Sequence, residues 1–546
     1  MQRTVRWLRA GALLLASTAS APSRADIFRW DNGQLIPGTE GITPEPGVVL
    51  DRRNLDFAQL SARDLTGASF KLSNLAYASF DAANLTGVNL RQANLSYADL
   101  FITKLANALF DDAIVTEANL GGATGGGLTQ QQLYSTASYK VKDLQGIGLD
   151  HNDLSGWNLA GQNLTSASFY RSTLANLNLQ DAVVLEANFG DTTRAGFSPQ
   201  QLYSTASYQL RDLQNIQLPY NDLSGWNFFR QEMTGASLRN ADLTGTVLAG
   251  ANLTNATFID AEFRGTDLAG AHIRGARLWG ATSHGFGKEE LYSTASYQRR
   301  DLQEVTFYND NLAGWDFRGQ DMADASLYGC DLTGANFASA NLANVDFSVA
   351  QVAGADFSAA DLRNAGNIGD LEPALSRNTI LSDGQLKGLI LSEFDSLVVR
   401  DYDARGTLGR PIPVRVDEQM VIRANGNLRL VFDSDSWDST ISFQPSIPVE
   451  LGGSLELTFA AEVDPTTQIG RTFKLFDWTG VNPAGQFNVV SDYQWDTANL
   501  YSTGEVTLIP EPATLASAAT AAILVLLATM ARQRRTLHHH SCQPTR

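Results

Sequence analysis

An apolar residue recurs at every fifth position from Leu55 to Leu120, and a small residue, most often Ala, stands two positions before many of these. A period of five fits neither the 3.6-residue period of an amphipathic helix nor the two-residue period of a flat strand. Since successive apolar residues would alternate between the two faces of a flat strand, the chain must turn a corner every five residues. The pattern therefore predicts a polygonal parallel β-solenoid, in which each short strand points its central apolar residue towards a shared axis.

The repeat unit is clearest in the five residues Ala93–Tyr97 (ANLSY) and again in Ala251–Asn255 (ANLTN). These units resemble the pentapeptide-repeat family, whose motif is Ala, then Asp or Asn, then Leu and two polar or small residues. The resemblance implies an all-β fold, a right-handed quadrilateral β-helix with four units in each coil of twenty residues. The five-residue pattern occupies residues 55–120, 149–189, 213–278 and 302–362.

The pattern is interrupted near residues 129–139, 198–208 and 287–297, where the sequence Leu-Tyr-Ser-Thr-Ala-Ser-Tyr recurs. A helix-start signature precedes each copy. The signatures are Thr129 with Gln132, Ser198 with Gln201, and Gly287 with Glu290. We therefore predict one short helix of about ten residues at each insertion. The copies are spaced by 69 and then 89 residues, which differ by one twenty-residue coil, so we expect all three helices on one side of the solenoid.

A tryptophan follows each copy, in the slot two residues before the central apolar residue that Ala occupies in other units. The three are Trp157, Trp226 and Trp315. Because Trp overfills an Ala-sized position, we expect each ring to turn outward and pack against the inserted helix. The expected aromatic contacts are with the first tyrosine of each copy, Tyr134, Tyr203 and Tyr292. An aromatic platform for sugar rings or for a partner is the functional alternative.

The N-terminus carries the pattern of a secretory signal. Arginines precede the short apolar stretch Ala10–Ala16, and Ser23–Ala25 supplies a small-residue cleavage site. The sequence predicts a signal peptide over residues 1–25 and a mature chain that starts at Asp26. Residues 26–54 contain three prolines and lack the five-residue pattern, so we predict that they cap the first coil.

The C-terminus carries a second motif. It consists of Pro510, Glu511 and Pro512, an uncharged run at residues 513–531, and the arginines Arg532, Arg534 and Arg535. The run is close to the minimum length of a membrane span, and the arginines would stay cytoplasmic. Residues 509–535 resemble the PEP-CTERM sorting signal of Gram-negative bacteria, with a tail at 536–546. The resemblance implies recognition by an exosortase, a transient membrane anchor, and export to a cell surface or extracellular matrix that contains exopolysaccharide. A plain membrane anchor is the alternative.

The pattern changes to short alternating strands between residues 366 and 508. This change predicts a smaller β-rich domain after the solenoid at residues 55–365. We interpret the domain as antiparallel, although a wider continuation of the β-helix fits the same alternation. Its aromatic residues Trp478, Tyr493, Trp495 and Tyr501 are candidates for a carbohydrate-stacking face, with burial in the core as the alternative.

The chain of 546 residues has a net charge of −18. Such an acidic chain is unsuited to binding the phosphates of a nucleic acid, so no nucleic-acid partner is expected. Its two cysteines are Cys330, in a small-residue core position, and Cys542, beyond the apolar run. They would lie on opposite sides of a membrane, and we expect no disulfide between them.

No catalytic, cofactor-binding or metal-binding residue is predicted. His151, His272 and His284 stand alone, without the spacing of metal ligands. The sequence contains no phosphate-binding loop and no nucleophile elbow. The leading prediction is a non-enzymatic exported surface or matrix protein that acts as a β-helical scaffold or adhesion module. The alternatives are a DNA-mimic binding protein, as some acidic members of the family are, and a polysaccharide-active β-solenoid enzyme.

Overall fold

The computed structural model describes residues 26–366, 378–401, 410–433, 437–460 and 463–510. The chain divides into two compact units, and the boundary falls between Asp222 and Leu223. The predicted signal peptide and the part of the predicted sorting signal beyond Pro510 lie outside the described residues. Within the described ranges, no helix is both long enough and apolar enough to cross a membrane.

The coils of the first unit have four sides of five residues each. Parallel bridges join Val49 to Ser69, Asn54 to Asn74, Gln59 to Ser79 and Asp64 to Asn84. Ser69 then begins the next level by pairing with Asn89. The backbone closes each side, because Leu60 N–H donates to Ser79 O at 2.8 Å and Ser79 N–H donates to Ala58 O at 2.9 Å. The predicted four-sided coil of twenty residues is confirmed.

The central apolar residue of each side is buried together with the small residue two positions earlier. Leu60 and Ala68 have no exposed surface. Each corner is turned by a residue in the left-handed region, such as Ala62 at φ 54°, Gly67 at φ 68° and Leu72 at φ 62°. Since this conformation costs a residue with a Cβ atom about 1–2 kcal/mol, the closed ladder and the buried core must offset strain at many corners.

Each of the three insertions lengthens one coil by nine residues, since the bridges there join residues 29 positions apart. These bridges pair Asn119 with Gly148, Asn188 with Gln217 and Arg277 with Thr306. The insertions contain the helices α1 (Gln130–Ser135), α2 (Ala137–Lys140), α3 (Pro199–Tyr203), α4 (Ala206–Gln209), α5 (Lys288–Ser293) and α6 (Ala295–Gln298). A 3₁₀ turn precedes each pair, at Ala123–Gly126, Thr193–Ala195 and Ala281–His284. The prediction of a single helix of about ten residues at each insertion is therefore wrong.

A threonine divides each insertion into two helices. Thr136 adopts an extended conformation at φ −68° and ψ 152°, and its Oγ1 accepts a hydrogen bond from Tyr139 N–H, which starts α2. The predicted start of α1 is confirmed, because Gln132 Oε1 accepts from Thr129 N–H at 2.7 Å. At α5 only half of such a capping box forms, since Gly287 has no side chain to reciprocate.

The first two insertions follow the same side of the coils in the first unit. Asn119, Gly148, Ser168 and Asn188 form one ladder. Helix α1 begins eleven residues after Asn119, and helix α3 begins eleven residues after Asn188. The expectation of a common side is confirmed for this pair. In the second unit, α5 begins eleven residues after Arg277.

The strands found among the described residues belong to the second unit. Within the solenoid, β1 (Arg277–Trp279), β2 (Thr306–Tyr308) and β3 (Ser326–Tyr328) form a parallel sheet. The later strands are β4 (Gln385–Leu386), β5 (Leu389–Leu391), β6 (Ser396–Arg400), β7 (Val414–Val416), β8 (Met420–Ile422), β9 (Asn427–Phe432), β10 (Ile441–Phe443), β11 (Val449–Leu451), β12 (Ser454–Phe459), β13 (Thr472–Lys474), β14 (Ala484–Gly485), β15 (Asn488–Val490), β16 (Gln494–Asp496) and β17 (Glu505–Ile509).

The region after residue 380 is mainly a wider parallel β-helix. Its three parallel sheets have the strand orders β10-β7-β4, β14-β11-β8-β5 and β15-β12-β9-β6. Among the sheets formed by the described residues of this region, only β13-β17-β16 is antiparallel. Our interpretation of the whole region as antiparallel is therefore wrong, and the structure matches the alternative of a wider continuation. Asp361 forms a parallel bridge to Ile380, and Leu362 N–H donates to Ile380 O at 2.9 Å.

A buried arginine lies where the narrow coils give way to the wider ones. Arg363 is only 1% exposed and forms an ion pair with Asp361 at 2.7 Å. Its guanidinium also donates to Ser439 Oγ at 2.7 Å and to the carbonyl oxygens of Ile412 and Arg400. All the polar groups of this side chain thus have partners, as a buried charge requires.

Candidate functional site

The insertions bring together the aromatic residues that the sequence singles out. The rings of Tyr134 and Tyr139 stack with centroids 4.4 Å apart, and Trp157 meets Tyr134 edge-on at 6.5 Å. In the second unit, Tyr292 meets Trp315 in the same way, also at 6.5 Å. Trp157 is only 6% exposed, so its ring is largely covered.

The tyrosine hydroxyls take the place of a missing strand. In an uninterrupted coil, Asn178 N–H donates to Trp157 O and Asn178 O accepts from Leu159 N–H. The segment that would pair with Asn158 from the preceding coil is helical. The backbone N–H and carbonyl of Asn158 therefore form hydrogen bonds with two side chains instead. Tyr134 Oη accepts from Asn158 N–H, and Tyr139 Oη donates to Asn158 O at 2.8 Å.

The third insertion repeats this arrangement. Asp316 N–H donates to Tyr292 Oη at 2.6 Å, and Tyr297 Oη donates to Asp316 O at 2.7 Å. Burial raises the pKa of Tyr297 to about 12. In the first and third copies, the paired tyrosines therefore complete the backbone hydrogen bonding of the next coil.

Two polar side chains flank each tryptophan in neighbouring core slots, and our sequence reasoning missed them. Asn152 Oδ1 accepts from Thr124 N–H at 2.8 Å, and its Nδ2 donates to Leu120 O at 2.9 Å. Gln162 Nε2 donates to Tyr139 O at 3.0 Å. Asn152 therefore fixes the start of the insertion and Gln162 fixes its end.

The sequence does contain a signal for these residues. Asn or Asp, Trp and Gln follow one another at five-residue spacing in all three copies. The sets are Asn152, Trp157 and Gln162; Asn221, Trp226 and Gln231; and Asp310, Trp315 and Gln320. Each set replaces three small core residues in the coil after an insertion. In the third copy Asp310 takes the asparagine position and accepts from Thr282 N–H at 2.8 Å.

The second insertion lies in the first unit, and the tryptophan that follows it in the sequence belongs to the second unit. In the first unit, Tyr203 and Tyr208 stack with centroids 4.4 Å apart. In the second unit, Trp226 stacks on Phe228 at 6.2 Å and is 5% exposed.

An open groove runs beside the first insertion, with a volume of about 710 Å³. The insertion contributes Gln130 and Gln131, and the following coils contribute His151, Asp153 and Arg171. Leu128 and Trp157 also line it, which gives the polar groove a small apolar part. The groove presents mainly hydrogen-bond donors and acceptors, because Leu128 and Trp157 are only 5% and 6% exposed.

The aspartates of the repeats are engaged in turns. Asp153 Oδ1 accepts from both the backbone N–H and the hydroxyl of Ser155. These hydrogen bonds lower the pKa of Asp153, and Thr66 and Thr333 act in the same way on Asp64 and Asp331. A general acid needs the opposite shift, so these carboxylates act as turn formers.

The remaining candidate residues are placed as follows. His151 packs edge-on against Tyr170 at 5.9 Å, and His284 lies 3.9 Å from Glu262. No group of three or more His, Cys, Asp or Glu residues suited to a metal ion occurs in the described part of the chain. Cys330 is buried, as predicted for a core position.

The aromatic residues of the wider helix lie in or against its core. Trp478 Nε1–H donates to Leu500 O at 2.7 Å, and its ring stacks on Phe443 and Phe476. Trp495 packs on Phe432 at 5.3 Å. Tyr493 and Tyr501 are partly buried against the same core cluster. Of the predicted sorting motif, Pro510 is the last described residue, and the other five residues lie outside the described ranges.

Family comparisons agree with the coil geometry. A family model described as pentapeptide repeats (8 copies) matches residues 54–92 and 232–270. A second, described as a pentapeptide repeat region, matches residues 300–366. No curated protein matches the sequence. The described coils and these matched repeats define a pentapeptide-repeat β-solenoid.

Several solved pentapeptide-repeat structures are similar to the chain. One is HetL, a pentapeptide repeat protein involved in heterocyst differentiation regulation from the cyanobacterium Nostoc. HetL is 19% identical to this chain, and the match covers 62% of this chain and 90% of HetL, with a TM-score of 0.14. A pentapeptide repeat protein from the thylakoid lumen of Arabidopsis thaliana is 19% identical. That match covers 30% of this chain and 74% of the Arabidopsis chain, with a TM-score of 0.12. QnrB1, a plasmid-mediated fluoroquinolone resistance protein, is 12% identical. That match covers 62% of this chain and 92% of QnrB1, with a TM-score of 0.14.

Proposed function

We propose that the chain is a non-enzymatic scaffold or adhesion module displayed outside the cell of a Gram-negative bacterium. The predicted signal peptide at 1–25 directs its export, and the signal at 509–535 sorts it through an exosortase. The presence of both terminal motifs on one chain is the observation that carries this proposal. The C-terminal run holds the chain in the membrane until it is sorted.

The chemistry of the coils supports a scaffold role. Side chains on the outer faces form ladders along the solenoid, as where Asn74 Nδ2 donates to Asn54 Oδ1 at 2.7 Å and Asn94 Nδ2 donates to Asn74 Oδ1 at 3.0 Å. The aspartate carboxylates are held in turns with a lowered pKa at Asp64 and Asp153. Polar groups used in this way stabilise a long, regular surface, and a net charge of −18 keeps that surface soluble.

Localisation of the tagged chain tests the proposal. An epitope placed beside Leu210, which is 78% exposed, should be cleaved by protease added to intact cells. Deletion of residues 510–535 should remove the protein from the surface fraction. The triple variant Arg532→Ala, Arg534→Ala, Arg535→Ala should accumulate in the inner membrane, while Gln533→Ala, a change in the same segment, should behave like the wild type. Recovery of the wild-type chain only from the cytosol would overturn the proposal.

A further inference from the structure

We propose that the groove beside the first insertion is a binding site for a neutral, hydroxyl-rich glycan. Gln130 and Gln131 of the insertion and His151 and Asp153 of the following coil line it, and Trp157 belongs to the apolar part of the lining. This inference rests on the proposed function only for the source of the glycan, an extracellular polysaccharide.

The lining chemistry fits sugar hydroxyl groups. Amide, imidazole and carboxylate groups together can donate and accept hydrogen bonds at several points, as a polyhydroxylated ring requires. Leu128 and the small exposed part of Trp157 add a limited apolar surface for the C–H groups of a sugar. A segment of a polymer requires a site that is open to solvent, and this groove is open rather than enclosed.

The charged residues of the groove are already balanced, which favours a neutral ligand. Arg171 forms an ion pair with Asp191 at 3.0 Å, and its guanidinium lies over the ring of Tyr170 at 5.1 Å. The Asp153 carboxylate accepts two hydrogen bonds from Ser155. An anionic or cationic ligand would have to compete with these partners.

The groove is built from residues that the other two copies of the insertion do not share. Leu128 corresponds to Phe197 and Phe286, and His151 corresponds to Tyr220 and Asn309. In the second unit the Phe286 ring lies 6.3 Å from Trp315 and 5.1 Å from Phe263 and is 2% exposed, so it belongs to the core beside the tryptophan. Leu128 is the smaller residue at the same position, and it lines the groove.

This comparison supplies test substitutions that the fold already accepts elsewhere. Leu128→Phe introduces the residue found at 197 and 286 and should fill the groove. His151→Asn introduces the residue found at 309, and Arg171→Asn introduces the residue found at 240. Leu210→Phe makes the same chemical change at an exposed site away from the groove and serves as the matched control.

The experiment is native electrophoresis of the purified full-length chain through gels that contain dissolved polysaccharide. The neutral probes are dextran, xyloglucan, galactomannan and hydroxyethyl cellulose, and alginate is the acidic comparison. The wild type and Leu210→Phe should be retarded by at least one neutral polymer. Leu128→Phe and the double variant His151→Asn, Arg171→Asn should weaken the apparent affinity at least tenfold without lowering the melting temperature by more than a few degrees.

Three results would overturn the inference. They are no retardation in any neutral polymer, retardation in alginate alone that disappears with added salt, and retardation that both groove variants retain. If Leu128→Phe fails to fold, the double variant His151→Asn, Arg171→Asn still shows whether glycan binding depends on the groove. Loss of glycan binding with intact surface exposure would reject this site alone, whereas a cytosolic chain that binds glycan would reject the proposed function alone.

Discussion

At the residue scale, single side chains replace pieces of the β-ladder. The sequence revealed that Tyr134, Tyr139 and Trp157 recur together, but it could not reveal that two hydroxyl groups stand in for a strand. That role depends on which backbone groups a helix leaves without a partner, and a five-residue period contains no information about them. The buried amides of Asn152 and Gln162 were overlooked for the same reason, since their slots were expected to hold small residues.

The substitution Tyr134→Phe tests this replacement. It removes the acceptor for Asn158 N–H while keeping the ring. An unsatisfied backbone donor costs about 1–2 kcal/mol, so the free energy of unfolding should fall by that amount in urea denaturation of the first unit. Tyr77→Phe, where the ring stacks on Tyr97 at 4.6 Å, should change it by less than about 0.5 kcal/mol. Equal effects of the two substitutions would contradict the role of the hydroxyl.

Asp310 gives a prediction that depends on pH. Burial raises its pKa, although hydrogen bonds from Thr282 partly oppose the shift. A folded state with a raised carboxyl pKa binds a proton more tightly than the unfolded chain. The free energy of unfolding should therefore fall as the pH rises from the ordinary carboxyl pKa, near 4, through the raised value. Asp310→Asn, which restores the residue of the other two copies, should remove this decline.

Melting temperatures measured between pH 3 and pH 8 check the prediction. Wild type and Asp310→Asn should agree most closely at the acid end, and the variant should be the more stable at neutral pH. The reverse change, Asn152→Asp, should destabilise the chain at neutral pH. A wild type that melts at a higher temperature than Asp310→Asn at pH 8 would show that the Asp310 charge is stabilising.

At the element scale, the sequence predicted where each insertion begins and missed how it is divided. Residues such as Thr129 and Gln132 mark a helix start through local hydrogen bonds, which sequence patterns describe well. The division at Thr136 depends on a tertiary contact, because Ala137 N–H donates to Ala113 O at 2.8 Å in a neighbouring coil. That bond holds the chain extended for one residue and ends α1.

Thr136→Ala should therefore unfold α2 more readily than α1. Thr136 Oγ1 caps α2 by accepting from Tyr139 N–H at 3.1 Å, and it donates to Leu133 O at 2.7 Å. Loss of such a cap costs about 1–2 kcal/mol. Hydrogen exchange should become faster at the amides of Ala137–Lys140 while those of Gln130–Ser135 change less. Equal acceleration in both helices would show that the insertion unfolds as one element.

At the scale of the whole molecule, the sequence distinguished the narrow coils from the wider helix but misjudged the direction of its strands. Leu397 and Val399 of β6 are buried while their neighbours are partly exposed. Such alternation arises equally in parallel and antiparallel sheets, because it reports only which face is covered. The pairing of β6 with β9 depends on return segments whose path no local pattern specifies. The five-residue units escape this ambiguity since their odd period requires corners.

The junction inside the second unit offers the sharpest test of how the narrow coils and the wider β-helix depend on each other. Arg363 and Asp361 are both about 2% exposed or less, and breaking such a buried pair costs about 3–5 kcal/mol because a charge is left without a partner. Arg363→Met should accelerate hydrogen exchange at Leu362 and Ile380, whose backbones are bonded across the junction. The double variant Arg363→Met, Asp361→Leu should recover most of the loss, because it removes both charges.

An exposed pair is the control for the junction. Arg91→Met removes an ion pair with Asp111 in which both side chains are about half exposed, and it should cost less than about 1 kcal/mol. If Arg363→Met cost no more than Arg91→Met, the charge pair would not connect the narrow coils to the wider helix. The junction would then be held by the backbone bridge between Asp361 and Ile380 and by apolar packing, and the wider helix would unfold independently of the ion pair.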